Sequence, residues 1–228
     1  MAAWLLWLPR LTLRAAWWWS ALVGGCFFLG TMWWLIHVTL IGWVILSIYL
    51  ALFFGLFGLG VSWSFTHHPS PITHHFVIPS LWVSLEYFRS HLFSGFGWNL
   101  LGYSQTGWSL IVQVADVTGV WGISWFVVFG SVSLASLWRT HVRRSVTDHI
   151  DLRFNARRVA LVVSLCLGVA LAYGSWRIQT LPIGRPVRVA VVQGNIPQEQ
   201  KWEEETRPNI LSTYARLTQQ AAASNTVC

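Results

Sequence analysis

From Trp17 to Ile36 the chain reads "WWWSALVGGCFFLGTMWWLI", twenty residues without a charge and with tryptophans at both ends. A helix of that length rises about 30 Å, the thickness of a bilayer's hydrocarbon core, and tryptophan prefers the two interfaces of that core. Val38 to Phe65 is a second uncharged run, and the short "HVTLIG" between the two allows only a tight turn, which predicts a hairpin. A third run, Phe76 to Phe93, is interrupted by Glu86, Arg89 and His91; a fourth covers about Trp108 to Leu137 and a fifth Val159 to Trp176. The chain is 54% hydrophobic and 10% charged. A soluble domain carries about a quarter of its residues as charges. Too little polar surface remains to cover a globule, so the expectation for residues 1–178 is an all-α polytopic membrane bundle of about five full spans. Met1 to Leu8 reads as the N-terminal remnant of another span.

The formal net charge is +7, and its placement orients the bundle. Arg10 and Arg14 precede the first run, and Arg139, Arg143, Arg144, Arg153, Arg157 and Arg158 crowd one loop before the fifth. Five alternating crossings put both clusters on one side, the cytoplasm, because basic loops stay inside. Gly95 to Gly107, with no basic residue, then falls outside, as does everything after Arg177. A nucleic-acid surface would interleave its basic residues with exposed aromatics; these lie between apolar runs, so no nucleic-acid partner is expected. Cys26 and Cys166 lie inside apolar runs and Cys228 is the last residue. Without CxxC or paired spacing, neither a metal site nor a disulfide framework is indicated, and no cofactor is expected. "MAAWLLWLPRLTLRAAWWWS" lacks the basic start and small-residue cleavage site of a signal peptide.

After Arg177 the texture changes. Residues 179–186 form a Pro- and Gly-bearing linker. "VRVAVVQ" is a short β-branched run ended by the turn residues "GNIP". From about Gln198 a helix is expected, with Glu199, Glu203, Glu204 and Glu205 near its start and Ile210, Leu211, Tyr214 and Leu217 at helical spacing. Strand, turn and helix make the first unit of a layered α/β domain over residues 187–228. That stretch is too short to close a core alone.

Several residues invite chemistry. Glu86 and Arg89 share a helix face at membrane depth, where ionisable groups are costly; they form either a self-neutralising packing pair or part of a site. His67, His68, His74 and His75 surround two prolines in "HHPSPITHH"; imidazole suits Zn²⁺, but with no acidic or thiol ligand nearby the segment reads as a linker between spans. "SGFGWNLLGYSQ", Ser94 to Gln105, is either an ordinary aromatic belt or an interfacial loop packing under an external domain. Lys201 on an acidic helix start reads as a solvated charge, whereas Trp202 after a turn reads as covering something. No His or carboxylate spacing supports Cys228 as a nucleophile.

"VRVAVVQGNIPQEQKW" resembles the entry to the catalytic domain of bacterial apolipoprotein N-acyltransferases. "LWVSLEYFRSHLFSGFGWNLLGYSQ", "YLALFFGLFGLG" and "VADVTGVWGISW" resemble that family's membrane part. The resemblance implies a nitrilase-like αββα domain carried on a helical bundle in the bacterial inner membrane, with the C-terminal segment periplasmic. It implies covalent catalysis by a Glu–Lys–Cys triad: a Cys thioester takes an acyl chain from a phospholipid and passes it to the N-terminal diacylglyceryl-cysteine of a lipoprotein. No residue here matches the triad, which is expected beyond residue 228; Lys201 and Cys228 do not correspond to it. Trp202 alone matches a family position implicated in substrate handling. The chain is thus expected to be an incomplete, inactive portion of such an enzyme. Two rivals are a non-catalytic membrane anchor for a polyprenol-phosphate mannosyltransferase and a polytopic transporter.

Overall fold

The computed structural model describes residues 1–67, 71–143, 149–181, 184, 189–197 and 200–225. Seven helices lie in one compact unit, Met1–Leu181: α1 (Ala2–Trp7), α2 (Leu13–Thr31), α3 (Leu40–His67), α4 (Pro71–His91), α5 (Ser109–Val112), α6 (Ala115–Arg143) and α7 (His149–Thr180). A second unit, Pro182–Cys228, holds α8 (Arg207–Asn225). By length and composition, three helical stretches can cross a membrane: Leu40–His67, Ala115–Arg139 and Arg157–Thr180. The protein is a multi-pass membrane protein.

α2 and α3 form the expected hairpin, and small residues hold it. The buried residues of α2 are Ala16, Ser20, Gly24 and Phe28, one every fourth position and so on one stripe. Ala16 and Ser20 meet Gly58 of α3, Gly24 meets Phe54, and the neighbouring Trp17 ring lies over Gly55. A Cβ on Gly58 would lie 2.7 Å from the Ala16 carbonyl oxygen, and one on Gly24 would lie 2.6 Å from the Phe54 side chain. In lipid, which is as apolar as leucine, helices associate through such close approach rather than through the hydrophobic effect. Trp82 of α4 wedges between Phe54 and Phe57, at ring separations of 5.2 and 4.9 Å. Trp4 of α1 packs on the same two rings, so α1 lies inside the bundle core together with Leu5 and Leu8.

The long helices alternate in direction, which gives the bundle two ends. At one end Arg139 of α6 donates to the Leu5 and Leu6 carbonyls (2.6 and 3.4 Å), satisfying orphan acceptors at the close of α1, and its guanidinium covers the Phe65 ring of α3. At the other end Asn99 Nδ2 donates to Thr31 Oγ1 at the close of α2 (2.9 Å), and Trp34 packs on Trp98.

Three boundaries differ from those the sequence suggests. α4 begins at Pro71 rather than near Phe76, because proline fits the first helical turn, where its missing N–H is not needed. His74 and His75 are therefore buried helix residues, not linker. The fourth apolar run is not one helix: Gly119 (φ 65°, ψ −174°) takes a backbone conformation that only glycine adopts readily, and it separates the first residues of α6 from the rest. Five of the six clustered arginines (Arg139, Arg143, Arg153, Arg157 and Arg158) lie within α6 or α7; Arg144 and His68 fall outside the described residues.

In the second unit no β-strand occurs among the described residues. Residues 189–197 carry no regular structure, with Val189 and Val191 exposed, because a strand is defined by a hydrogen-bonded neighbour and no described segment lies alongside to supply one. Asn195 (φ 51°) sits in the left-handed region, as the "GNIP" turn chemistry anticipates. The helix starts at Arg207 and not near Gln198. Pro208 is tolerated only in a first turn, so it sets the boundary, and the carboxylates Glu204 and Glu205 fall in a single 3₁₀ turn before it. Ile210, Thr213, Leu217 and Ala221 form the half-buried face of α8, while Leu211 and Tyr214 are exposed. Gly194 runs so close to the Tyr214 ring that a Cβ would lie 2.8 Å from it.

Candidate functional site

A set of buried polar contacts in the first unit joins α4 to the segment that follows it. Glu86 and Arg89, each 4% exposed, lie one turn apart on α4. They are spent on the Ser94–Gln105 loop rather than on each other. Arg89 Nη1 donates to the Trp98 carbonyl (3.0 Å) and Nη2 to the Asn99 carbonyl (3.4 Å). Glu86 Oε1 accepts from the Leu101 N–H (2.7 Å). The guanidinium also lies over the Phe28 ring, 5.4 Å from its centroid, so the cation is covered by a π face as well as by carbonyls.

Further ties complete the clamp. The Phe96 N–H bonds to the Arg89 carbonyl (2.9 Å), and the Gly102 N–H donates to Ser124 Oγ on α6 (2.8 Å). Phe93 (φ 57°), Gly95 (φ 73°) and Asn99 (φ 54°) take left-handed backbone conformations that let the chain reverse sharply after His91. Phe93 is held there while 87% exposed, and Trp98, Tyr103 and Trp108 are exposed as well. The loop is thus tied to α4 and α6 at several points, with exposed aromatic side chains in it and at its two ends. The expected self-neutralising pair is not what forms: both side chains bond the backbone of this loop instead.

Beneath the loop lies a cavity of about 560 Å³, bounded by α1, α2, α3 and α4. Phe27, Phe28, Phe53, Phe54, Leu85 and Trp82 line most of it; Glu86, Arg89, Asn99 and Ser104 line its polar side. Glu86 Oε2 and the indole nitrogens of Trp4 and Trp82 are buried there without a hydrogen-bond partner. The volume is within the range of small-ligand pockets, about 300–1,000 Å³.

The histidines have other employment. His67 stacks on Trp63 and bonds its carbonyl (3.0 Å); His74 packs against the Phe65 ring, centroids 3.9 Å apart; His75 lies 3.3 Å from Ser136 Oγ. His74 and His75 tie α4 to α3 and α6, whereas the Trp63 contacts of His67 lie within α3. Cys26 and Cys166 lie on α2 and α7 as free thiols, and Cys228 falls outside the described residues. In the second unit Trp202 is 79% exposed, with Lys201 Nζ 5.9 Å from its ring centroid.

Two elements escaped a reading by motif. Thr31, Asn99 and Ser124 each make a tie that depends on partners 22 or 68 positions away. Asp116 of α6 binds Tyr173 and Arg177 of α7. The small-residue stripe Ala16, Ser20, Gly24 was visible as a four-residue period and marks the α2–α3 seam.

Residues 1–133 match the model of the apolipoprotein N-acyltransferase N-terminal domain. An apolipoprotein N-acyltransferase of Geobacter metallireducens is 36% identical over 146 residues, covering 64% of this chain and 27% of that protein. One of Shewanella oneidensis is 31% identical over 216 residues (89% of this chain, 38% of that one), and one of Azotobacter vinelandii is 32% identical over 221 (92% and 41%). The chain therefore spans well under half the length of these relatives. No solved structure matches it. On a match that takes in α1 to α4, the clamped loop and most of α6, the chain belongs to the apolipoprotein N-acyltransferase family.

Proposed function

We propose that this chain serves as the membrane portion, and the opening of the extracytoplasmic nitrilase-like domain, of an enzyme of lipoprotein maturation. The reaction moves a fatty acyl chain from a phospholipid to the N-terminal diacylglyceryl-cysteine of a lipoprotein. The family match over residues 1–133 carries this reading. The multi-pass helices support it, because both substrates live in the bilayer and an enzyme acting on them gains from being held at its surface. Five helices, α2, α3, α4, α6 and α7, cross the bacterial inner membrane in this reading. Arg10 and Arg14 lie in the cytoplasm, and the clamped loop and the residues after Thr180 lie on the periplasmic side. Residues 1–178 are the transmembrane domain, 179–186 the linker, and 187–228 the first strand and helix of the αββα layer.

Trp202 is the substrate-contacting residue of this segment; its exposure leaves it free to meet a lipid or lipopeptide. The Glu, Lys and Cys of the family's triad have no counterpart in residues 1–228, so these residues alone transfer no acyl chain. Incubation of the purified chain with phospholipid and a diacylated lipopeptide tests this; an N-acylated product in the mass spectrum refutes it. Orientation has its own test: alkaline phosphatase fused after Pro186 is active when that segment is periplasmic, and silence there with a fluorescent green fluorescent protein fusion overturns the topology.

A further inference from the structure

Asp116 stands in the first turn of α6 and holds the far end of α7. Its Oδ1 accepts from the Tyr173 hydroxyl (2.7 Å) and its Oδ2 from Arg177 Nε (2.6 Å). Tyr173 and Arg177 are four positions apart, so they share one face of α7. Between them Gly174 meets the carbonyl of Leu110 in α5 so closely that any Cβ would collide with that backbone. These grips fall within two turns, at the end from which the chain leaves the bundle.

The apolar stretch of α7 between Arg157 and Thr180 packs lightly against the rest of the unit. Its most apolar stretch is 17% buried inside the protein, against 39% for those of α3 and α6. Leu161, Leu165 and Val169 are exposed to the lipid, and Val159 and Ala170 are its buried apolar side chains among the described residues. A helix with so little apolar packing is directed by its polar contacts, and a charge-assisted pair fixes direction better than lipid-facing surface does. The Leu110–Gly174 contact is a backbone approach without a side chain to lock rotation, which makes it a pivot.

We infer that Asp116 is a positioning residue: through Tyr173 and Arg177 it locks α7 against rotation about the Gly174–Leu110 contact, and so sets the direction in which the chain leaves the bundle after Thr180. Nothing in this clamp depends on acyl transfer, and it is tested without turnover.

The test is a pair of spin-label distances in the full chain, reconstituted in phosphatidylcholine–phosphatidylglycerol nanodiscs with the native cysteines replaced by serine. Labels at Ile41 and Ile178, both exposed, report α7 against α3; labels at Ile41 and Val117 report the Asp116 segment of α6, ahead of Gly119, against α3. The unaltered clamp gives one narrow Ile41–Ile178 distance. Asp116→Asn loses that narrow peak and leaves the Ile41–Val117 distance unchanged, and the reversal Asp116→Arg with Arg177→Asp restores it. A peak that stays narrow in Asp116→Asn overturns the inference, as does equal broadening of both pairs, which would mean general loosening. If Asp116→Asn is not recovered folded, Tyr173→Phe combined with Arg177→Gln removes the same two bonds from the α7 side. A narrow peak there overturns the inference equally.

Discussion

Replacing Arg89 by methionine keeps most of the side-chain volume over Phe28 and removes the guanidinium fork. Two bonds are lost, to the Trp98 carbonyl at 3.0 Å and to the Asn99 carbonyl at 3.4 Å. A hydrogen bond to a charged group contributes about 1.5–3 kcal/mol, and the longer of these two counts at or below the low end. The loop should therefore lose about 3 kcal/mol of local stability, which is about a hundredfold in its opening equilibrium. Hydrogen exchange reads that opening at the Leu101 and Gly102 amides, which are held by Glu86 Oε1 and Ser124 Oγ. Exchange in a peptide covering Trp98 to Gln105 should speed by about that factor while peptides of α3 stay unchanged. Arg89→Lys keeps the charge but not the two-pronged geometry, so it should fall between. Unchanged exchange in Arg89→Met, or an equal rise in α3, would show that the loop is held by something other than this clamp.

Gly58→Ala should loosen the α2–α3 seam by about 1–3 kcal/mol, since the new methyl must displace the Ala16 carbonyl or the Ser20 side chain; a lowered unfolding midpoint in detergent checks it. Arg139→Gln removes the charged caps on the Leu5 and Leu6 carbonyls and should cost about 1.5–3 kcal/mol, read as faster proteolysis of the first ten residues. Trp202→Ala should change the unfolding free energy by less than about 0.5 kcal/mol, because the ring is 79% exposed, yet it should weaken photo-crosslinking to a diacylated lipopeptide. A large stability loss in that variant would mean the indole is structural.

By itself the sequence marked the long apolar runs, and three of the helices they form are long and apolar enough to cross a membrane. Uncharged runs as long as a bilayer is thick leave no alternative packing for their side chains, and their order carried the family resemblance. It also placed Glu86 and Arg89 on one helix face, since a three-residue interval does so in any helix. It missed boundaries that proline and glycine set: Pro71 opens α4, Pro208 lies in the first turn of α8, and Gly119 divides an apolar run that reads as continuous.

Only the tertiary structure decided what the polar residues do. Whether Arg89 neutralises Glu86 or seizes two carbonyls nine and ten positions on depends on where the backbone turns, which is not a local property. The same holds for Asp116, whose partners lie 57 and 61 positions away, and for Arg139 of α6, which closes α1 from more than 130 positions away in the chain. Periodicity reports which face of an element is apolar; it carries no record of which element comes to lie beside it. A polar side chain buried in such a bundle is defined by that neighbour, because in lipid no water stands ready to take the neighbour's place.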